Sequence, residues 1–260
     1  MNTTNSVSDE YAGVRLERRG HLLIVAMDRP HKRNAVNAVM AAALDAAFDR
    51  LDDDPHIWVG ILTGSSDVFS AGNDLVSGSG SPTARGGQYG LITRDRRKPL
   101  IAAVEGFALG GGLEMVLACD LVVAGETAQF GLPEVTRGVI PLYGGLFRLA
   151  RALPLNVARE MVLTGESIGA ARAYDLGLVN HVAASGHALD RALVLAERLC
   201  RNAPSAVGHA LQAFNSLVGN DDETGWAKTA AAKEAVWASA DMQEGIRAFR
   251  DRRSPRWTGR

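Results

Sequence analysis

Cysteine is nearly missing from this chain: 260 residues hold only Cys119 and Cys200. Two thiols so far apart build no disulfide framework, and they lack the paired Cys or Cys/His spacing of a zinc site. A reducing, cytoplasmic setting is the expectation. Aromatic residues make up 6 % and the formal net charge is -1. The chain therefore lacks both the surplus of Lys and Arg that neutralises phosphates and a basic helix with interleaved aromatics, so no nucleic-acid partner is expected.

Long apolar runs are missing too. The most apolar region, 100–124, is broken by Glu105, Glu114, Asp120 and several glycines, short of the ~20 unbroken residues of a membrane-spanning helix. The N-terminus puts polar and acidic residues before any apolar stretch, the wrong order for a secretory signal. No membrane partner is expected. The six histidines are scattered without an HExxH pattern, so no metal is expected. No glycine cluster is followed by the Gly-Lys-Ser/Thr of a phosphate-binding loop, and Ser70 lacks the GxSxG elbow of a serine hydrolase.

What is present is 47 % hydrophobic residues, enough for one large core or a core plus a small appendage. "GVRLERRGHLLIVAMD" reads as two strands joined near Arg19 and Gly20. "NAVNAVMAAALDAAFDRLDDDP" reads as a helix stopped by Pro55. "IWVGILTG" and "LIAAVEG" read as buried strands, and "DLVVAGETAQFGLPE" as a further pair. From about 145 onward the pattern is mainly helical. The Gly/Ser-rich segment 76–90 has no periodicity and reads as a mobile loop beside a site. No internal sequence repeat is evident.

Three stretches carry chemistry. "FALGGGLEMVLACD" sets three glycines before Glu114 and an apolar helix. Glycine lets a backbone approach a ligand, and the first amides of a helix are unpaired, so such a turn can hold an oxyanion; by itself it is equally a tight strand-to-helix turn. "FSAGNDL" is a second small-Gly turn after a buried strand, able to present the Asn73 amide. "FGLPEVTRGVIPLYGG" places Glu134 twenty residues beyond Glu114. Either glutamate alone is more ordinarily a solvated or capping residue, and spacing does not show whether the two meet.

Taken together, these stretches resemble the crotonase superfamily, the enoyl-CoA hydratase/isomerase family, over residues 14 to 257. The resemblance implies an α/β fold, a spiral of ββα turns with two roughly perpendicular sheets, and a helical C-terminal trimerisation region. The expected division is a spiral core at 1–195 and a helical region at 196–260, assembling as a homotrimer or a dimer of trimers. It implies an acyl-CoA thioester substrate, with coenzyme A as part of the substrate and no separate cofactor.

By the same carry-over, the amides of Asn73 and Gly111 form the oxyanion hole, although Asn73 stands where alanine is common in the family. Glu114 is the base that takes a proton from water attacking C3, and Glu134 supplies the proton to C2. Two carboxyls around one water share a proton near neutral pH. Lys32, Arg33, Ala71, Asn73, Asp74, Leu75, Gly111 and Tyr143 are the expected substrate contacts, with Lys32 and Arg33 equally a solvated turn and Tyr143 equally a packed residue. Leu142 and Tyr143 depart from the family's small residues before Gly144; the bulk can reshape the acyl pocket, and a phenol there can orient an acyl carboxylate or hydroxyl. Arg252 and Arg253 can meet a CoA phosphate of an adjacent subunit, or face solvent.

The expected activity is reversible syn hydration of a trans-2-enoyl-CoA. Runners-up are an isomerase or a specialised acyl-CoA dehydratase of the same fold, and a non-catalytic acyl-CoA binder.

Overall fold

The computed structural model describes residues 8–219 and 222–258. In chain order the elements begin with strands β1 (Ser8–Tyr11), β2 (Val14–Arg19) and β3 (Leu22–Met27), then helix α1 (Ala38–Asp53), β4 (Val59–Thr63) and β5 (Val68–Ser70). Next come β6 (Leu100–Val104), β7 (Phe107–Leu109), α2 (Gly111–Leu117), β8 (Leu121–Gly125) and β9 (Gln129–Gly131). The chain continues with α3 (Gly145–Ala152), α4 (Leu155–Thr164), β10 (Ser167–Gly169), α5 (Ala170–Asp175), β11 (His181–Ala183) and α6 (Ala188–Cys200). It ends in α7 (Pro204–Gly219), α8 (Asp222–Trp237) and α9 (Ala240–Arg250).

The strands form a seven-stranded sheet, β1-β2-β3-β4-β6-β8-β11, and a four-stranded sheet, β10-β9-β7-β5. Consecutive strand pairs divide between the sheets: β4, β6 and β8 lie parallel in the large one, and β5, β7 and β9 parallel in the small one. Each turn of the chain thus adds a strand to either sheet, which is the ββα spiral.

Both faces of the large sheet are covered at its centre, so β3, β4 and β6 are buried along their whole length and mainly apolar. Alternation sorts their side chains. Leu23, Val25, Leu62, Leu100, Ala102 and Val104 join the main core with α1 and α2, whereas Leu22, Ile24, Ile61, Ile101 and Val123 meet α6. Asn37 caps α1 by accepting from the Met40 amide at 2.9 Å. Asp54 leaves the helix in extended conformation before Pro55, as the residue before proline prefers.

Two expectations need revision. The boundary placed between 195 and 196 falls inside α6, whose Ala188, Ala192 and Ala196 all pack on the sheet. The segment 76–90, read as a mobile loop, is tied down. Gln88 Nε2 donates to Ser79 Oγ at 2.7 Å and Thr83 Oγ1 to Asp45 at 2.8 Å, and Gln88, Tyr89 and Gly90 are buried.

Candidate active site

Two turns meet at the start of α2. The first follows β5. Ser70 Oγ donates to the Asn34 carbonyl at 2.8 Å and accepts from the Gly72 amide at 3.0 Å. Asn34 Nδ2 donates to the carbonyls of Val68 and Phe69, so the turn after β5 is stitched to the loop before α1. A Cβ on Gly72 would stand 2.7 Å from the Gly111 nitrogen, which puts the two turns in direct contact.

The glycine triplet has a separate reason at each position. Gly110 has φ +55°, a conformation that a Cβ penalises. A Cβ on Gly111 would lie 2.1 Å from the Tyr89 hydroxyl, and one on Gly112 would lie 2.2 Å from the Ser70 carbonyl oxygen. The turn is therefore compressed from both sides. Among the described residues the amides of Asn73 and Gly111 find no protein acceptor, while those of Ala71, Gly72 and Asp74 do; for Gly111, the first residue of α2, this is the ordinary condition of a helix start.

Glu114 sits in the first turn of α2 and is 1 % exposed. Its Oε1 accepts from the Tyr143 amide at 2.6 Å and the Gly145 amide at 2.9 Å. Burial pushes its pKa up to about 7, against the opposing pull of those two hydrogen bonds and of Arg148.

Glu134 is the second residue of the short helix Pro133–Arg137 that follows β9. The ridge is braced by close packing: a Cβ on Gly245 of α9 would strike the Arg137 carbonyl at 2.1 Å, and one on Gly165 after α4 would strike Thr136 at 2.7 Å. Glu134 Oε1 lies 3.0 Å from where a Cβ on Gly110 would stand, over the same turn that Glu114 follows. Its Oε2 is buried and finds no hydrogen-bond partner among the described residues. Burial and the nearby Glu114 charge push its pKa up to about 8. An orphaned buried carboxyl oxygen is costly to keep.

Tyr89 completes the cluster, and the sequence reading missed it. It is 1 % exposed, and its φ of 57° is unusual for a bulky residue, a strain of ~1–3 kcal/mol that persists only where the surroundings enforce it. Here Gly90 is wedged on α1, where a Cβ would lie 2.4 Å from the Asp45 Cα, and Arg94 Nε holds the Gly90 carbonyl at 2.7 Å. The Tyr89 hydroxyl donates to Asn73 Oδ1, and Asn73 Nδ2 donates to the Tyr143 hydroxyl at 3.3 Å. The two rings meet edge to face with centroids 5.3 Å apart. Burial, then the charges of Glu114, Tyr143 and Glu134, hold the Tyr89 phenol well above its usual pKa, so it stays protonated. The one available signal was an aromatic residue inside an otherwise Gly/Ser-rich segment.

The remaining candidates divide. Leu75 is 59 % exposed beside Asn73, and Ala71, Lys32 and Arg33 are exposed on the neighbouring loops, open to an extended ligand. Asp74 is not: its carboxylate is consumed by Arg29 at 2.8 Å and by the amides of Val76 and Ser77 at 3.0 Å each. Burial opposes the Asp74 charge, yet these bonds outweigh it and hold the pKa down to about 2. Asp74 is a brace for the turn, and its partner Arg29 was overlooked. Arg253 is likewise occupied, forming a two-pronged pair with Glu244. A cavity of about 460 Å³ lies at the other end of α2, lined by Arg94, Arg96, Arg148 and Arg151; it contains neither glutamate.

Comparison with known proteins gives the family. The family profile for enoyl-CoA hydratase/isomerase matches residues 17–260. The chain is 39 % identical over 255 residues to an enoyl-CoA hydratase of Mycobacterium tuberculosis, covering 94 % of this chain and 96 % of that one. It is 38 % identical over 256 residues to a carnitinyl-CoA dehydratase of Salmonella agona, covering 94 % and 98 %. Among solved structures, a carnitinyl-CoA dehydratase from Mycobacterium avium 104 superposes with a TM-score of 0.89 at 42 % identity, covering 95 % of this chain and 99 % of that one.

Proposed function

The chain belongs to the enoyl-CoA hydratase/isomerase family, the crotonase superfamily, and from that premise we propose that it adds water reversibly and syn across a trans-2-enoyl-CoA. The observation that carries this reading is the pair of buried carboxyls, Glu114 anchored by the Tyr143 and Gly145 amides and Glu134 set over Gly110, near enough that the Glu114 charge raises the Glu134 pKa.

In this proposal the thioester oxygen sits between the amides of Asn73 and Gly111. Charge drawn onto that oxygen makes C2 enolate-like and C3 electrophilic, and each preorganised donor contributes ~3 kcal/mol to the transition state. Because the donor at residue 73 is main chain, asparagine serves as well as alanine. Glu114, with Oε1 anchored by two amides, is the member that holds negative charge and takes the proton from water. Burial raises both carboxyls and the Glu114 charge raises Glu134 further, so the pair shares a proton near neutral pH, and in this proposal Glu134 delivers it to C2. Groups whose pKa values are held apart near neutrality suit one base and one acid. The route uses main-chain donors and two carboxyls, with no metal or organic cofactor.

The same site run in reverse is a dehydratase, a reading favoured by the carnitinyl-CoA dehydratases among the relatives. Following the enoyl absorbance of crotonyl-CoA and longer enoyl-CoAs, and running double-bond migration alongside, separates hydration from isomerisation; binding without any turnover would leave the acyl-CoA binder.

We further propose assembly as a trimer or a dimer of trimers in the cytoplasm. The exposed apolar side chains Phe214, Leu217 and Val218 of α7 support an interface there. Among the described residues no helix is long and apolar enough to cross a membrane.

A further inference from the structure

The hydroxyl groups of Tyr89 and Tyr143 are bridged by one amide side chain, and the direction of the bridge fixes what each can still do. A phenol carries one proton and accepts through its oxygen. Tyr89 gives its proton to Asn73 Oδ1, so toward the site its oxygen can only accept. Tyr143 receives from Asn73 Nδ2, so its own proton remains to be given. The two aromatic rings stand edge to face, and the Tyr89 oxygen lies directly over Gly111. One acceptor and one donor are thus left side by side next to the amide that the proposed mechanism uses.

An aliphatic hydroxyl needs this pairing, one partner to accept its proton and one to donate to its oxygen. A carboxylate, which can only accept, would meet the Tyr89 lone pairs and two nearby glutamates. A plain alkyl chain would exclude water and leave the Tyr143 proton without an acceptor, since Asn73 Nδ2 already donates to that hydroxyl, which is how a site built for a hydroxyl rejects its apolar isostere. We infer that Tyr89 and Tyr143, locked together by Asn73, form a hydroxyl-recognising end of the acyl pocket, and that the chain selects short acyl-CoA thioesters carrying a hydroxyl beyond the reacting carbons over alkyl chains of the same size. Tyr89 and Tyr143 are then specificity residues, and Asn73 has a second use: its amide N–H faces the thioester while its side chain sets the polarity of the two phenols. This inference rests on the acyl-CoA reading above, but not on which reaction follows binding.

The test is calorimetric binding of 4-hydroxybutyryl-CoA and of pentanoyl-CoA, matched in heavy atoms, to the full-length protein and to Tyr89→Phe and Tyr143→Phe, with free coenzyme A as reference and thermal melting as a fold control. The wild type is expected to bind the hydroxyl-bearing thioester at least ~10-fold more tightly, the order of one satisfied hydrogen-bonded group. Each Phe variant should bring the two ligands to within about 2-fold while binding coenzyme A as before. Because Tyr89 is strained and buried, the surface-ward Tyr143→Phe variant decides the matter should Tyr89→Phe melt early. Equal affinities in the wild type, or an undiminished hydroxyl preference in Tyr143→Phe, would overturn the inference. Failure of crotonyl-CoA hydration with the hydroxyl preference intact would instead fault the reaction assigned above and leave this inference standing.

Discussion

The amide of Tyr143 donates to Glu114 Oε1 at 2.6 Å, so the loop entering α3 fixes one oxygen of the most deeply buried carboxyl in the site. That bond stabilises the charged form, and burial opposes it. The balance leaves Glu114 near 7 and Glu134 near 8.

The first prediction concerns the pH profile of hydration. In the proposed mechanism Glu114 acts ionised and Glu134 protonated. The rate constant kcat/KM for crotonyl-CoA should fall below a limb near 7 and above a limb near 8, giving a narrow bell. A profile flat from acid to alkaline pH would show that the two carboxyls do not divide the work.

The second concerns stability. Both carboxyls have folded pKa values raised above the 4.5 of the free side chain. The folded state therefore binds these protons more tightly, and their contribution is fully present below pH 4.5 and is lost as pH rises through about 7 and 8. Glu134→Gln, which never ionises, should melt several degrees above the wild type at pH 9 and lose that advantage at pH 4.5. Thermal melts across this range check it; an advantage that grew toward acid would reverse the sign and refute the assignment.

The third addresses the glycine turn. A Cβ on Gly112 would lie 2.2 Å from the backbone oxygen of Ser70, and backbone cannot swing aside as a side chain can. Gly112→Ala should cost ~1–3 kcal/mol of stability and also lower turnover, since it pushes apart the two turns that carry the Asn73 and Gly111 amides. Denaturant unfolding and the enoyl-absorbance assay read the two effects separately.

Much of this architecture was legible before any coordinates. The strands 22–27, 59–63 and 100–104 announce themselves as continuous apolar runs because α1 and α2 cover one face of the sheet and α6 the other. The strands of the small sheet are three residues long, too short to show a period, and Phe107–Leu109 passed as part of the approach to the helix. The spiral repeat was hidden for the same reason: it is a repeat of strand pairs, not of residues.

The site was legible in part. The two glycine turns stood out because glycine marks close backbone approach, but their contact with each other depends on the packing of Gly72 on Gly111. That Glu134 comes over Gly110 depends on α4 and α9 bracing its ridge, two elements far along the chain. Asp74, adjacent to Asn73, looks like a contact from its position in the turn, but its carboxylate belongs to Arg29. Tyr89 was lost because glycine-rich composition suggests mobility, whereas here Gly87 and Gly90 serve to fold a tyrosine inward.

The central claim is that two carboxyls work on one water at a polarised thioester. The most direct measurement is crotonyl-CoA hydration by purified Glu114→Gln and Glu134→Gln, with acyl-CoA binding confirmed for each. Glutamine keeps the shape of either side chain, and at residue 114 an oxygen for the Tyr143 and Gly145 amides, but it can neither take nor give the proton. Each variant should bind acyl-CoA and lose turnover by ~10²-fold or more; near-normal turnover in either one would contradict the account.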